Sequence, residues 1–159
     1  VGLLRRTNSG IAPAMADRHG MYLRLPLFFE EPKMPLVRID LSNGSPETLG
    51  PAIGDLIYQA MRDTINVPED DKFQVITRHE ARELVHPASY LGVVYSPGFV
   101  LIQITLNHGR TTEMKKAFYK RVADDLHARQ GIRREDVFIN LVEVAKENWS
   151  FGNGEMQYA

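Results

Sequence analysis

Hydrophobic positions along this chain fall into two matching sets, 65 residues apart. Leu36-Val37-Arg38-Ile39-Asp40-Leu41 aligns with Leu101-Ile102-Gln103-Ile104-Thr105-Leu106, Gly44 with Gly109, and Ala52 with Ala117. Farther on, Met61 falls on Leu126, Val67 on Ile132, Asp71 on Asp136 and Phe73 on Phe138, with no gap required. The match is an internal duplication, and each half reads as strand, helix, strand.

In the first half Leu49, Ala52, Ile53, Leu56, Ile57, Ala60 and Met61 recur at steps of three and four, which places them on one helix face. Ser45 is the expected N-cap, with Pro46 at the first helical position. In the second half Met114, Ala117, Phe118, Val122 and Leu126 form the equivalent stripe, in a helix expected to start after Thr111 or Thr112. A charged turn follows each helix, Pro68-Glu69-Asp70-Asp71 and Arg133-Arg134-Glu135-Asp136, and strands are expected from Phe73 and Val137. A strand-helix-strand unit of this length normally joins parallel strands through a right-handed crossover. The expected fold is therefore α/β (α+β): duplicated β-α-β units forming one four-stranded mixed sheet with two helices on one face.

The repeat halves cover 35–80 and 100–145, and a C-terminal tail covers 146–159. Between the halves, residues 81–98 carry Pro87, Gly92, Pro97 and Gly98 and predict a long, partly irregular connection, of a length that often serves function. One sheet face is left needing cover, with Leu36, Leu101 and Val137 or their neighbours on it. Oligomerisation supplies that cover most simply.

Residues 1–34 do not share this organisation. They show neither a period of 2 nor one of 3.6, and the apolar run from Met21 to Phe29 is broken by Arg24 and Pro26, so no spanning helix or secretory core fits. Val1 is what a GTG start codon gives when translated literally. Glu30-Glu31, just ahead of Met34, is what a purine-rich ribosome-binding site gives when read as protein. The expectation is a leader, residues 1–34, that is non-native or unstructured, with translation starting at Met34 and a domain running from 35 to 159.

Composition narrows the function. At 159 residues, 43% hydrophobic and 25% charged, the chain suits one globular domain. Residues 35–159 hold 14 basic and 17 acidic side chains, which argues against a nucleic-acid surface. The absence of cysteine removes disulfides, thiolate nucleophiles and Cys-based metal sites, and suits a reducing cytoplasm. His79-Glu80-Ala81-Arg82-Glu83 lacks the second histidine of a zinc-protease helix, and no phosphate-binding glycine loop occurs, so neither a metal nor a cofactor is expected. Lys115, Lys116, Lys120 and Arg121, interleaved with Glu113, Asp124 and Asp125, read as a solvated helix face.

What remains is the Met34-Pro35 junction. Removal of Met34 would leave Pro35 as a secondary α-amine, a group that titrates near pH ~7.7 to 8.0 and can act as base or acid. Burial and nearby cations would lower its pKa, because both disfavour the ammonium form. The bland reading is a proline at the first residue of a strand, where no ladder donor is needed. Arg110, beside Gly109 between a strand end and a helix start, could hold a carboxylate through two parallel hydrogen bonds or could be a solvated loop arginine. Asp71 could serve a site, but Asp136 repeats it, as expected of an aspartate that merely stabilises a turn.

Taken together, Pro35-Leu36-Val37-Arg38-Ile39-Asp40-Leu41, the duplicated unit, Asn107-His108-Gly109-Arg110-Thr111 and the tail Asn148-Trp149-Ser150-Phe151-Gly152 resemble the tautomerase superfamily. Asp71, Arg110 and the Trp-Ser-Phe-Gly tail are similar to the longer trimeric branch that includes malonate semialdehyde decarboxylase. The resemblance covers residues 34–159. It implies a homotrimer with an amino-terminal proline in each active site, Pro35 as catalytic base, Arg110 on the substrate carboxylate, and Trp149 and Phe151 walling the pocket. It makes Asp71 a candidate for activating water or polarising substrate. His108 stands where decarboxylase-like members tend to have a second arginine, and is a candidate substrate-binding residue.

The expected activity is a cofactor-free interconversion of enol and keto forms of a small 2-oxo acid. The alternative is hydration or decarboxylation with a protonated proline. A non-catalytic trimeric binding protein is the rival of another class, if the leader is retained. The expected partners are a small carboxylate substrate and two further copies of the chain, with neither nucleic acid nor membrane.

Overall fold

A computed structural model describes residues 34–158. Residues 1–33 of the expected leader lie outside the described residues. Six strands and two long helices follow one another as β1 (Pro35–Ser42), α1 (Leu49–Ile65), β2 (Phe73–His79), β3 (Ser89–Tyr90), β4 (Val93–Val94), β5 (Val100–Asn107), α2 (Thr112–Gln130) and β6 (Val137–Val144). The main sheet has the order β2-β1-β5-β6. β1 and β2 are parallel, β5 and β6 are parallel, and the two halves meet through the antiparallel pair β1 and β5. Both β-α-β units are thus present, and the connection between them carries a small hairpin of β3 and β4.

Alternation sorts the two faces. Val37, Ile39 and Leu41 of β1 and Val100, Ile102, Ile104 and Leu106 of β5 are buried against the helices, with Ile53, Ile57, Met61 and Ile65 of α1 and Phe118, Val122 and Leu126 of α2 facing them. Burying that many large apolar side chains, each worth roughly 1.5 to 3 kcal/mol, is the main source of stability. Gly50 lets β2 approach α1, since a Cβ there would stand 2.6 Å from Ile76 Cγ2. On the other face lie Leu36, Phe73, Val75, Leu101 and Phe138, alongside the polar pairs His79 Nε2 to Asp40 Oδ1 at 2.6 Å and Gln103 Nε2 to Asn140 Oδ1 at 3.1 Å. Val137 does not belong there: its register with Val100 turns it towards the helices, and Phe138 takes the open position.

Three local expectations change. α1 begins at Leu49 with Thr48 at its N-cap, not at Pro46. The Arg78 guanidinium takes the carbonyls of Asn43, Ser45 and Pro46, which holds that segment as a turn instead of a helix start. In α2 the buried stripe narrows to Phe118, Val122 and Leu126, and Ala117 is exposed. Lys115 is not simply solvated, because its Nζ lies 2.8 Å from Glu143 Oε2 in a half-buried pair. Among the described residues, no helix is long and apolar enough to cross a membrane.

Candidate active site

Strand register brings the sequence candidates towards one end of the sheet. Pro35 opens β1 opposite Leu106 of β5, and Leu106 in turn lies opposite Glu143 of β6. Leu36 pairs with Phe73, so the turn carrying Asp71 reaches the same end. β5 ends there at Asn107, and Gly109, at φ +117°, takes a backbone conformation that a side chain would strain. That turn delivers Arg110 directly ahead of α2. Thr111 then caps the helix, its hydroxyl accepting from Met114 N–H at 3.2 Å.

Arg110 is buried, with 8% of its surface exposed. Its Nη1 donates to the Asn107 carbonyl at 2.6 Å. Burial pulls the guanidinium below its ordinary pKa, and the neighbouring charge of Glu143, then of Asp71 and of Tyr158, works against that pull. Burial likewise raises the Asp71 carboxyl above its usual range, opposed by Arg110. A cation and a carboxylate, each partly stripped of water and each feeling the other, form the polar centre of the site.

Aromatic rings wall it. Trp149 Nε1–H donates to Asn107 Oδ1 at 2.7 Å, so Asn107 links the indole to Arg110 through its two oxygens. Phe151 stacks on Trp149 with centroids 5.7 Å apart, and Tyr158 meets Phe151 edge-on at 4.9 Å. The tail curls back because Gln157 accepts from Phe151 N–H and donates to the Gly152 carbonyl, each at 2.9 Å. Burial also raises the Tyr158 phenol, opposed first by the Met34 backbone facing it.

Pro35, Asp71, Arg110, Trp149 and Phe151 thus gather at one sheet end. His108 does not enter the cluster: it is exposed, and its backbone N–H continues the ladder to Val144 at 3.2 Å. Asp136 is not a second Asp71. It is buried, accepting from Ser96 N–H at 2.7 Å and Ser96 Oγ at 2.6 Å. Asn107, Lys115, Glu143 and Tyr158 lie outside the site residues that the sequence points to. Asn107 is adjacent to the Arg110 motif and could have been found there, whereas Glu143 and Tyr158 carry no local signal. Among the described residues, no group of three or more His, Cys, Asp or Glu side chains is placed to hold a metal ion.

Comparison with known proteins identifies the family and the fold. A family described as "Tautomerase enzyme" matches residues 71–152. A protein of Bacillus subtilis (strain 168) named "Probable tautomerase YusQ" is 44% identical over 124 residues, covering 78% of this chain and 98% of that one. Among solved structures, the FG41 malonate semialdehyde decarboxylase inhibited by 3-bromopropiolate superposes with a TM-score of 0.71 at 34% identity, over 77% of this chain and 93% of that one. A fused 4-OT solved as a symmetric trimer shares the fold at a TM-score of 0.61 and 21% identity, over 76% of this chain and 94% of that one.

Proposed function

The chain belongs to the tautomerase family, and on that premise we propose that it is a cofactor-free enol-keto tautomerase of small 2-oxo acids, with Pro35 as base and Arg110 on the substrate carboxylate. The observation that carries this reading is the buried Arg110 at the sheet end where β1 begins, beside a wall of aromatic rings. A cation withdrawn from water grips an anion more strongly than a solvated one does. The wall limits water around the reacting atoms.

The proton transfers balance without a co-reactant. The neutral Pro35 nitrogen takes the enol O–H proton, the oxygen becomes a carbonyl, and the double-bond electrons move to the neighbouring carbon. That carbon then takes the proton back from the Pro35 ammonium, which regenerates the base. The scheme requires Pro35 to carry a free amine, and hence a chain without Met34. Asp71, its carboxyl raised by burial beside Arg110, supports a second reading as a decarboxylase or hydratase in which Pro35 stays protonated and Asp71 serves water. The similarity to a malonate semialdehyde decarboxylase points the same way. The apolar residues on the uncovered sheet face support a homotrimer.

The test compares protein beginning at Pro35 with protein carrying one residue ahead of it, using the enol of phenylpyruvate. The extra residue turns the amine into an amide with no basic lone pair, so activity should fall to background. Pro35→Ala should lower kcat by ~10² to 10⁴-fold. Full activity in the extended protein would overturn Pro35 as base. A Pro35 pKa well above neutrality would favour the second reading.

A further inference from the structure

On the helix side of the sheet, Pro35, Leu106 and Glu143 form one cross-strand row. Neighbouring strands lie about 4.8 Å apart, so Glu143 stands roughly 10 Å from Pro35 with the Arg110 turn rising beside them. Glu143 Oε2 pairs with Lys115 Nζ at 2.8 Å, and the pair is half-buried, each side chain 26% exposed. Its other oxygen, Oε1, is buried and has no hydrogen-bond partner among the described residues. A buried carboxylate oxygen without a donor is unfavourable, and such a group turns to the nearest cation able to take it. Two cations are in range. Lys115 holds the carboxylate, and Arg110 feels its charge more than that of any other acidic group.

We propose that Lys115 holds Glu143 in check: by taking Oε2 into an ion pair it keeps that carboxylate from closing onto Arg110, so that the guanidinium grips the substrate's carboxylate instead. This rests on the reading of Arg110 as the carboxylate anchor. Lys115 and Glu143 are then positioning residues that set the affinity for acid substrates without touching them. The pair also assigns a use to a lysine in the first turn of α2, where the sequence pattern shows only a charged surface.

The first test needs no substrate. In a crystal structure of Lys115→Met, a Glu143 oxygen should move to within hydrogen-bond distance of Arg110; a Glu143 that stays turned away overturns the proposal. If Lys115→Met fails to fold, Lys115→Gln keeps a neutral donor and removes the charge, and the same movement is expected. In steady-state assays with the enol of phenylpyruvate, Lys115→Met should raise KM on the order of tenfold, with little change in kcat. Adding Glu143→Gln to that variant should bring KM back towards the wild-type value. A double variant as impaired as the sum of its parts, the result of a merely structural pair, overturns the proposal. Arg110→Ala separates the two levels. If it leaves KM unchanged, the anchor reading fails; if it raises KM while the double variant gives no rescue, only the role of Lys115 fails.

Discussion

Asp136 accepts both hydrogens that Ser96 offers, the backbone N–H at 2.7 Å and the hydroxyl at 2.6 Å. The matching aspartate of the first half, Asp71, instead lies where the charge of Arg110 reaches it. Duplication has left one copy in structure and one beside the polar centre. Asp136→Ala should therefore cost about 2 to 4 kcal/mol, because it strands a part-buried N–H and removes charge-assisted bonds. Denaturant unfolding measures this, and a change below about 1 kcal/mol would contradict the assignment.

Asp71 should behave oppositely. Its folded pKa is raised above 3.8, so the folded state favours the neutral carboxyl. The corresponding stability is fully present below pH 3.8 and is lost as pH rises through the folded value. Asp71→Asn, which keeps the shape and removes the charge, should raise Tm at neutral pH and leave it unchanged in acid, while altering activity. Thermal unfolding across pH decides the matter; an unchanged or lower Tm at neutral pH would show that the attraction of the Arg110 charge outweighs the cost of burial.

Trp149 is the single tryptophan of the chain, so its emission reports on the wall. Titration with phenylpyruvate should change that emission in the wild type and leave it unchanged in Arg110→Ala. Trp149→Phe keeps a ring against Phe151 but removes the indole donor to Asn107, and should cost about 1 kcal/mol of stability. Emission that ignores phenylpyruvate in a protein known to turn it over would place the ligand away from this wall.

The uncovered sheet face carries Phe73 at 50% exposure, Val75 at 39% and Phe138 at 39%. Contiguous apolar surface of this kind marks an interaction site. Sedimentation should give three subunits. Val75→Glu, pointing into that face, should yield smaller species without unfolding the chain. A wild-type protein that sediments as a stable monomer at micromolar concentration would contradict the trimer.

Much of the fold is legible in the residues because the duplication repeats one hydrophobic pattern, and two independent copies of a pattern are harder to misread than one. Both crossovers, both helix faces and the strand starts at Phe73 and Val137 follow from it. The errors fall where a distant partner overrides local preference. Ser45 and Pro46 look like a helix start until Arg78, from the next strand, takes their carbonyls. Lys115 reads as surface until β6 sets Glu143 beside it. At the site, Pro35, Asp71, Arg110, Trp149 and Phe151 stand in or beside recognisable motifs, whereas Tyr158 arrives through a tail fold closed by Gln157, which no periodicity announces.

Among the described residues, the two halves of the main sheet are joined through β1 and β5, strands whose paired residues, such as Pro35 and Leu106, lie far apart in the chain. During synthesis β1 emerges with α1 and β2, but its other edge must wait until β5 has left the ribosome, several seconds later at ~5 to 20 residues per second. For that interval the nascent chain presents an unpaired apolar strand edge, the kind of surface on which chains aggregate and chaperones act. The Pro35 end of β1 is therefore the first part of the candidate site to be made and among the last to find its neighbours.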